Sequence, residues 1–88
     1  MTTTEELVNE REKTHGKFSV SAQVTQDLKA VVTRVLELRT KTALADLSAM
    51  QLEALEMILH KIGRIVTGDP SFQDHWDDIA GYAKLANK

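Results

Sequence analysis

The chain has 88 residues, of which 42% are hydrophobic and 27% charged, and its formal net charge is -2. This composition is typical of one small folded domain over residues 1–88, and the acidic balance argues against DNA binding. The absence of cysteine excludes disulfides and thiolate metal sites, and no apolar stretch of about 18 residues occurs, so we expect a cytoplasmic protein without a membrane-spanning segment.

The first predicted helix is short. Thr3 or Thr4 can cap its start, the acidic residues that follow suit the positive end of the helix dipole, and Gly16 can end it. We expect this helix over about residues 4–14. The spacing of apolar residues is helical elsewhere too, and no strand-like alternation occurs, which predicts an all-α fold.

The second predicted helix is long. It begins at a Ser19 cap and runs to about Thr40. The periodicity weakens around "TKTALAD", residues 40–46, where we expect a bend. The apolar residues of this helix follow three- and four-residue steps along one stripe: Val20, Val24, Leu28, Val31, Val32, Val35 and Leu38.

The start of the third helix is strongly marked in the sequence. Ser48 and Gln51 have the spacing of a capping box, and Gly68 followed by Pro70 is a typical helix end. The apolar face of this helix comprises Leu52, Leu55, Leu59, Ile62 and Val66.

The fourth predicted helix has Ser71 as its cap. Helical spacing places its apolar and acidic residues on opposite faces. The apolar face comprises Phe72, Trp76, Ile79, Ala83 and Ala86, and the acidic side carries Asp74, Asp77 and Asp78.

One short and three longer helices form a small helical bundle most simply if helices three and four pair as an αα-hairpin on helix two. A chain of this size buries only about 60 to 65% of its unfolded surface, so a single core gives marginal stability. We therefore expect a homo-oligomer that completes the bundle.

Two pairs of carboxylates have the spacing of one helical turn, Glu53 with Glu56 and Asp74 with Asp77. On antiparallel helices such pairs can hold Mg²⁺ and activate water. The arrangement is similar to that of the all-α, MazG-like NTP pyrophosphohydrolases, a resemblance that implies a magnesium cofactor and hydrolysis. Acidic pairs on exposed helix faces are common, so the alternative is a solvated surface.

Lys61 and Arg64 also lie one turn apart, and Asp74 and Asp78 follow them in the predicted hairpin. Two interpretations remain open. The bases can pair with the acids as a structural clasp, or they can project into a cleft and bind phosphate, the arginine through a bidentate fork.

A second basic patch surrounds Gly16, where Arg11 and His15 precede a tight turn whose backbone can approach an anion. The alternative is a solvated loop that ends the helix. Trp76 and Tyr82 are the only tryptophan and tyrosine, and either ring can pack in the core or stack on a nucleobase. The three histidines lack the spacing of a zinc site.

The segments "REKTHGKF", "HKIGRIVTG" and "DHWDDIAGYAKL" resemble motifs of a family of small phage and prophage proteins of unknown function. The resemblance covers roughly half of the chain. It implies a phage origin, and with it the cytoplasm of a host cell, and a polar site built from both chain ends. The matching positions are Arg11, His15, Gly16, Lys61, Arg64, Asp74, Asp78, Gly81 and Tyr82.

We therefore expect a helical oligomer that binds, without turnover and without a cofactor, a phosphorylated small molecule derived from a nucleotide, such as a host defence signal. Whether the chain is an enzyme stays open. One alternative is a magnesium-dependent NTP pyrophosphohydrolase that uses the acidic pairs, and another is a module that binds a host protein. The expected ligand contacts are Arg11, His15, Gly16, Lys61, Arg64, Trp76, Asp78 and Tyr82.

Overall fold

The structure is a computed structural model that describes residues 3–38 and 47–87. These residues form four helices and no strand, which confirms the predicted all-α fold. None of the described helices combines the length and the apolar character needed to cross a bilayer. The helices are α1 (Thr4–His15), α2 (Phe18–Leu38), α3 (Ala49–Thr67) and α4 (Gln73–Ala86).

The predicted start and end signals of α1 and α3 are confirmed. Thr3 caps α1, because its hydroxyl accepts a hydrogen bond from the amide of Glu6 at 3.1 Å, and Gly16 ends the helix at φ 76°. Ser48 and Gln51 make both hydrogen bonds of the capping box at the start of α3, each 3.0 Å long. These signals act within a single turn of chain, so sequence spacing suffices to predict them.

Two predicted caps are wrong. The helix α2 begins at Phe18, and the carbonyl of Lys17 already accepts from the amide of Ser21 at 2.9 Å, so Ser19 lies inside the helix. Ser71 does not cap α4 either, because the helix begins at Gln73 with Phe72 at the N-cap position and without a side-chain cap; Ser71 lies in the connecting turn, where its amide donates to the carboxylate of Asp69 at 2.8 Å. The predicted bend over residues 40–46 lies outside the described residues.

The central helix is α3, which packs against the other three, while α2 and α4 do not touch each other within the described ranges. Gly63 of α3 approaches α2 so closely that a Cβ atom there would lie 2.7 Å from the hydroxyl oxygen of Thr25. Lys61 points about 200° away from Gly63 around α3 and forms a salt bridge with Asp78 of α4. Helices α2, α3 and α4 therefore form a single layer, and the expected hairpin of α3 and α4 is present.

The apolar stripes of α2 and α3 are not enclosed within one chain. Among the described residues, Ala54 and Ile65 are the only apolar side chains that are fully buried. The predicted apolar face of α4 is only partly its inner face: Phe72, Ile79 and Ala86 are half-buried, but Trp76 is 52% exposed. The most deeply buried residue of the helix is His75, at 1% exposed. Stripe residues that remain exposed are Val20, Val31, Val35, Leu38, Leu52, Leu55 and Val66.

Candidate functional site

The C-terminal ends of α1 and α3 are held together by backbone contacts. The amide of Asp69 donates to the carbonyl of Thr14 at 3.0 Å. The two glycines that end these helices permit the approach, since a Cβ at Gly16 would lie 2.5 Å from the Thr67 hydroxyl and one at Gly68 would overlap the Thr14 carbonyl. The C-terminal ends of α1 and α3, which carry most of the predicted site residues, are thus in direct contact.

His75 of α4 contacts this junction. Its Nε2 atom lies 3.2 Å from the same Thr14 carbonyl, which can only accept, so this nitrogen donates. The ring of His15 meets that of His75 edge to face with centroids 4.6 Å apart, and Phe72 completes the cluster at 4.9 Å from His75. Burial, followed by the charge of Arg11, lowers the pKa of His15, so its imidazole is mostly neutral near pH 7.

A cavity of about 290 Å³ opens beside this junction, where α1, α2 and α3 meet. Its size is at the lower end of the range for small-molecule sites, and it combines apolar walls with a few polar groups, as such sites do. The lining residues are Val8, Arg11, Glu12, His15, Gly16, Phe18, Ser21 and Arg64.

Two arginines from different helices line this cavity. Burial lowers the pKa of the half-buried Arg64, and the positive charge of Arg11 lowers it further, so the two guanidinium groups lie near each other. Asp78 and Tyr82 raise the pKa of Arg64 and so partly offset these two effects. Neither arginine makes a salt bridge with a described residue, and a single acid, Glu12, shares the cavity wall, so local positive charge is in excess.

Lys61 has a different environment from Arg64. It is 9% exposed, and its Nζ atom lies 2.8 Å from a carboxylate oxygen of Asp78. The hydrogen bond from Lys61 is the largest cause of the lowered pKa of Asp78. For Lys61 the structure therefore favours the clasp interpretation, with Asp78 and not Asp74 as the partner, whereas Arg64 faces the cavity.

The predicted ligand contacts separate into three groups. Arg11, His15, Gly16 and Arg64 line the cavity together. The Lys61–Asp78 pair and Tyr82 lie next to Arg64 on the α4 side, outside the cavity lining. Trp76 stands apart, because its exposed indole N–H donates to the carbonyl of Pro70 at 2.8 Å.

The acidic residues of the magnesium alternative are not brought together. Glu53, Asp74 and Asp77 are exposed and Glu56 is half-buried. No three histidine or carboxylate side chains among the described residues form a group that could hold a metal ion.

Reasoning from sequence missed several residues of this region, namely Val8, Glu12, Phe18 and Ser21 of the cavity wall and His75 of the junction. Phe18 is 82% exposed at the rim of the cavity, and its position directly after the turn at Gly16 is the one signal that could have indicated it. His75 was treated as a lone histidine, because nothing in its sequence neighbourhood indicates contact with Thr14, which is 61 positions away.

The fold and the site define a small all-α protein with a cationic cavity between its first three helices. A family model described as "Domain of unknown function (DUF6378)" matches residues 1–88, and the chain belongs to this family. No curated protein and no solved structure matches the chain.

Proposed function

We propose that the protein binds a phosphorylated small molecule derived from a nucleotide in the cavity between α1, α2 and α3. The observation that carries the proposal is the pair Arg11 and Arg64, two neighbouring guanidinium groups on one apolar-walled cavity without a salt-bridge partner among the described residues. Guanidinium groups bind phosphate oxygens through paired hydrogen bonds, and partial burial strengthens such bonds.

The remaining lining supports an organic ligand over a bare inorganic anion. Val8 and the ring of Phe18 contribute apolar surface next to the arginines. An exposed ring at the rim of a site can stack on a nucleobase. We assign this role to Phe18 in place of Trp76, which bonds to Pro70, while Tyr82 contributes through its proximity to Arg64.

Binding without turnover requires no metal cage and no positioned water, and we infer sequestration on that account. A phage origin, a location in the host cytoplasm and a host defence signal as ligand belong to the same proposal. The pyrophosphohydrolase alternative needs a carboxylate cluster that the described residues do not form, and the protein-interaction alternative predicts no small-molecule binding at all.

The proposal can be tested by calorimetric titration with AMP, ATP, cyclic AMP, cyclic di-AMP and inorganic phosphate, with and without Mg²⁺. Arg64→Ala removes a charge-assisted contact of about 1.5 to 3 kcal/mol, so the dissociation constant should rise by roughly 10- to 150-fold. Arg64→Lys should recover only part of this loss, because it keeps the charge and removes the planar fork.

The matched control is Arg34→Ala. Arg34 is an exposed arginine of α2 that does not line the cavity, so its loss should leave the affinity for the same nucleotide unchanged. Equal weakening by both variants would indicate general charge attraction and contradict the proposal. Release of pyrophosphate with Mg²⁺ would favour the enzyme, and failure of every probe to bind would favour the protein-interaction module.

A further inference from the structure

The side of the helical layer that lies away from α1 is apolar and uncovered. On α3 this side carries Leu55 and Val66, which are 41% and 63% exposed, and the half-buried Ile62. On α2 it carries Val20, Val31 and Val35, each about half exposed. We call these six residues the apolar face.

The two stripes lie on the same side because of how α2 and α3 pack. The helices run antiparallel, since Gly63 meets Ser21 and Thr25, while His60, one turn earlier in α3, is close enough to Lys29 for the lysine to lower its pKa. His60 also lies next to Arg64, so the Lys29–His60 seam is on the side of the cavity and of α1.

Every residue of the apolar face is remote from this seam. At about 100° per residue, Val31 and Val35 point roughly 120 to 160° away from Lys29 around α2. Ile62 and Val66 point away from His60 around α3 by similar angles. The polar cavity and the apolar face therefore occupy opposite sides of one layer.

The surface area of the chain is larger than expected for a compact monomer of its mass. A monomeric protein of 9.8 kDa is expected to expose about 5,200 Å², whereas this chain exposes 6602 Å². The excess of about 1,400 Å² is more than the ~800 Å² that each partner buries in a standard interface. The radius of gyration is likewise 15.3 Å, against about 12 Å for a compact domain of this length.

We propose that a second copy of the chain covers the apolar face, with the two layers packed face to face about a two-fold axis. A folded domain needs at least two layers around an apolar core, and within the described residues one copy fully buries only two apolar side chains. A covering partner would bury the apolar side chains that one copy leaves exposed. Another copy of the same chain meets this requirement, because its own identical face needs the same cover.

The test uses two substitutions to glutamate on α2. Val35→Glu places a charge on the apolar face, and Thr33→Glu places the same charge at an exposed position of the same helix that points to the other side. Sedimentation equilibrium at micromolar concentration should give twice the chain mass for the wild type and for Thr33→Glu. The dissociation constant of the dimer should rise more than tenfold in Val35→Glu.

The concentration dependence of thermal unfolding decides the case in which Val35→Glu fails to fold. The melting temperature of the wild type should then rise with protein concentration, as expected for coupled folding and association. A wild-type chain that sediments as a fully helical monomer would overturn the proposal. So would a melting temperature independent of concentration, or an equal dimer mass and affinity for the two glutamate variants.

Discussion

Gly63 permits the close crossing of α2 and α3, and its replacement by alanine tests the packing of the layer. Two effects oppose each other at this position. Alanine is favoured over glycine inside a helix by about 1 kcal/mol. Its Cβ, however, would lie 2.7 Å from the hydroxyl oxygen of Thr25 and 3.1 Å from the carbonyl of Ser21, both on the buried side of α2.

The steric effect should prevail. Thr25 is 1% exposed, so its side chain has no free space into which to turn, and overpacking of this kind typically costs about 1 to 3 kcal/mol. We expect Gly63→Ala to lower the free energy of unfolding by about 0 to 2 kcal/mol. The matched control is Gly81→Ala in α4, where a Cβ meets nothing within 4 Å and helix propensity alone should stabilise by up to about 1 kcal/mol.

Urea unfolding followed by circular dichroism, at one fixed protein concentration, measures both variants. The two should differ by about 1 to 3 kcal/mol, because only Gly63→Ala meets a steric penalty. The double variant Gly63→Ala with Thr25→Ala should recover part of the loss relative to Thr25→Ala alone, since the nearest clashing oxygen is then gone. Equal stability of Gly63→Ala and Gly81→Ala would refute the described crossing.

Three further predictions concern single contacts. The folded-state pKa of Asp78 lies below its usual 3.8, so the ion pair with Lys61 stabilises the fold above that pH and is lost on acidification. Asp78→Asn should therefore make the free energy of unfolding less dependent on pH in the acidic range. The pKa of His15 is lowered below 6.5, so its imidazole binds protons more readily in the unfolded chain, and the free energy of unfolding falls as the pH drops through 6.5. NMR titration of the His15 ring should give a midpoint below that value. Trp76→Phe should cost about 0.5 to 1.5 kcal/mol in thermal unfolding through loss of the bond to Pro70, with nucleotide affinity unchanged.

Features that depend on a single turn of chain could be predicted from residue types alone. The all-α class follows from apolar spacing, and the capping box at Ser48 and the glycine ends at Gly16 and Gly68 are read directly from residue types. Ser71 shows the limit of this reasoning, because the turn that Asp69 forms by accepting from the Ser71 amide is followed by a helix with Phe72, not Ser71, at its N-cap.

Which side of each helix meets a neighbour depends on contacts between residues that are distant in sequence. The choice of His75 over Trp76 as the buried residue of α4 depends on a carbonyl of α1, and the pairing of Lys61 with Asp78 in place of Asp74 depends on the rotation of α4 against α3. Apolar periodicity identifies a stripe but not its partner. The described residues of the same chain leave the exposed members of the α2 and α3 stripes uncovered, because α2 and α4 pack on opposite sides of α3 and leave one side of the layer open.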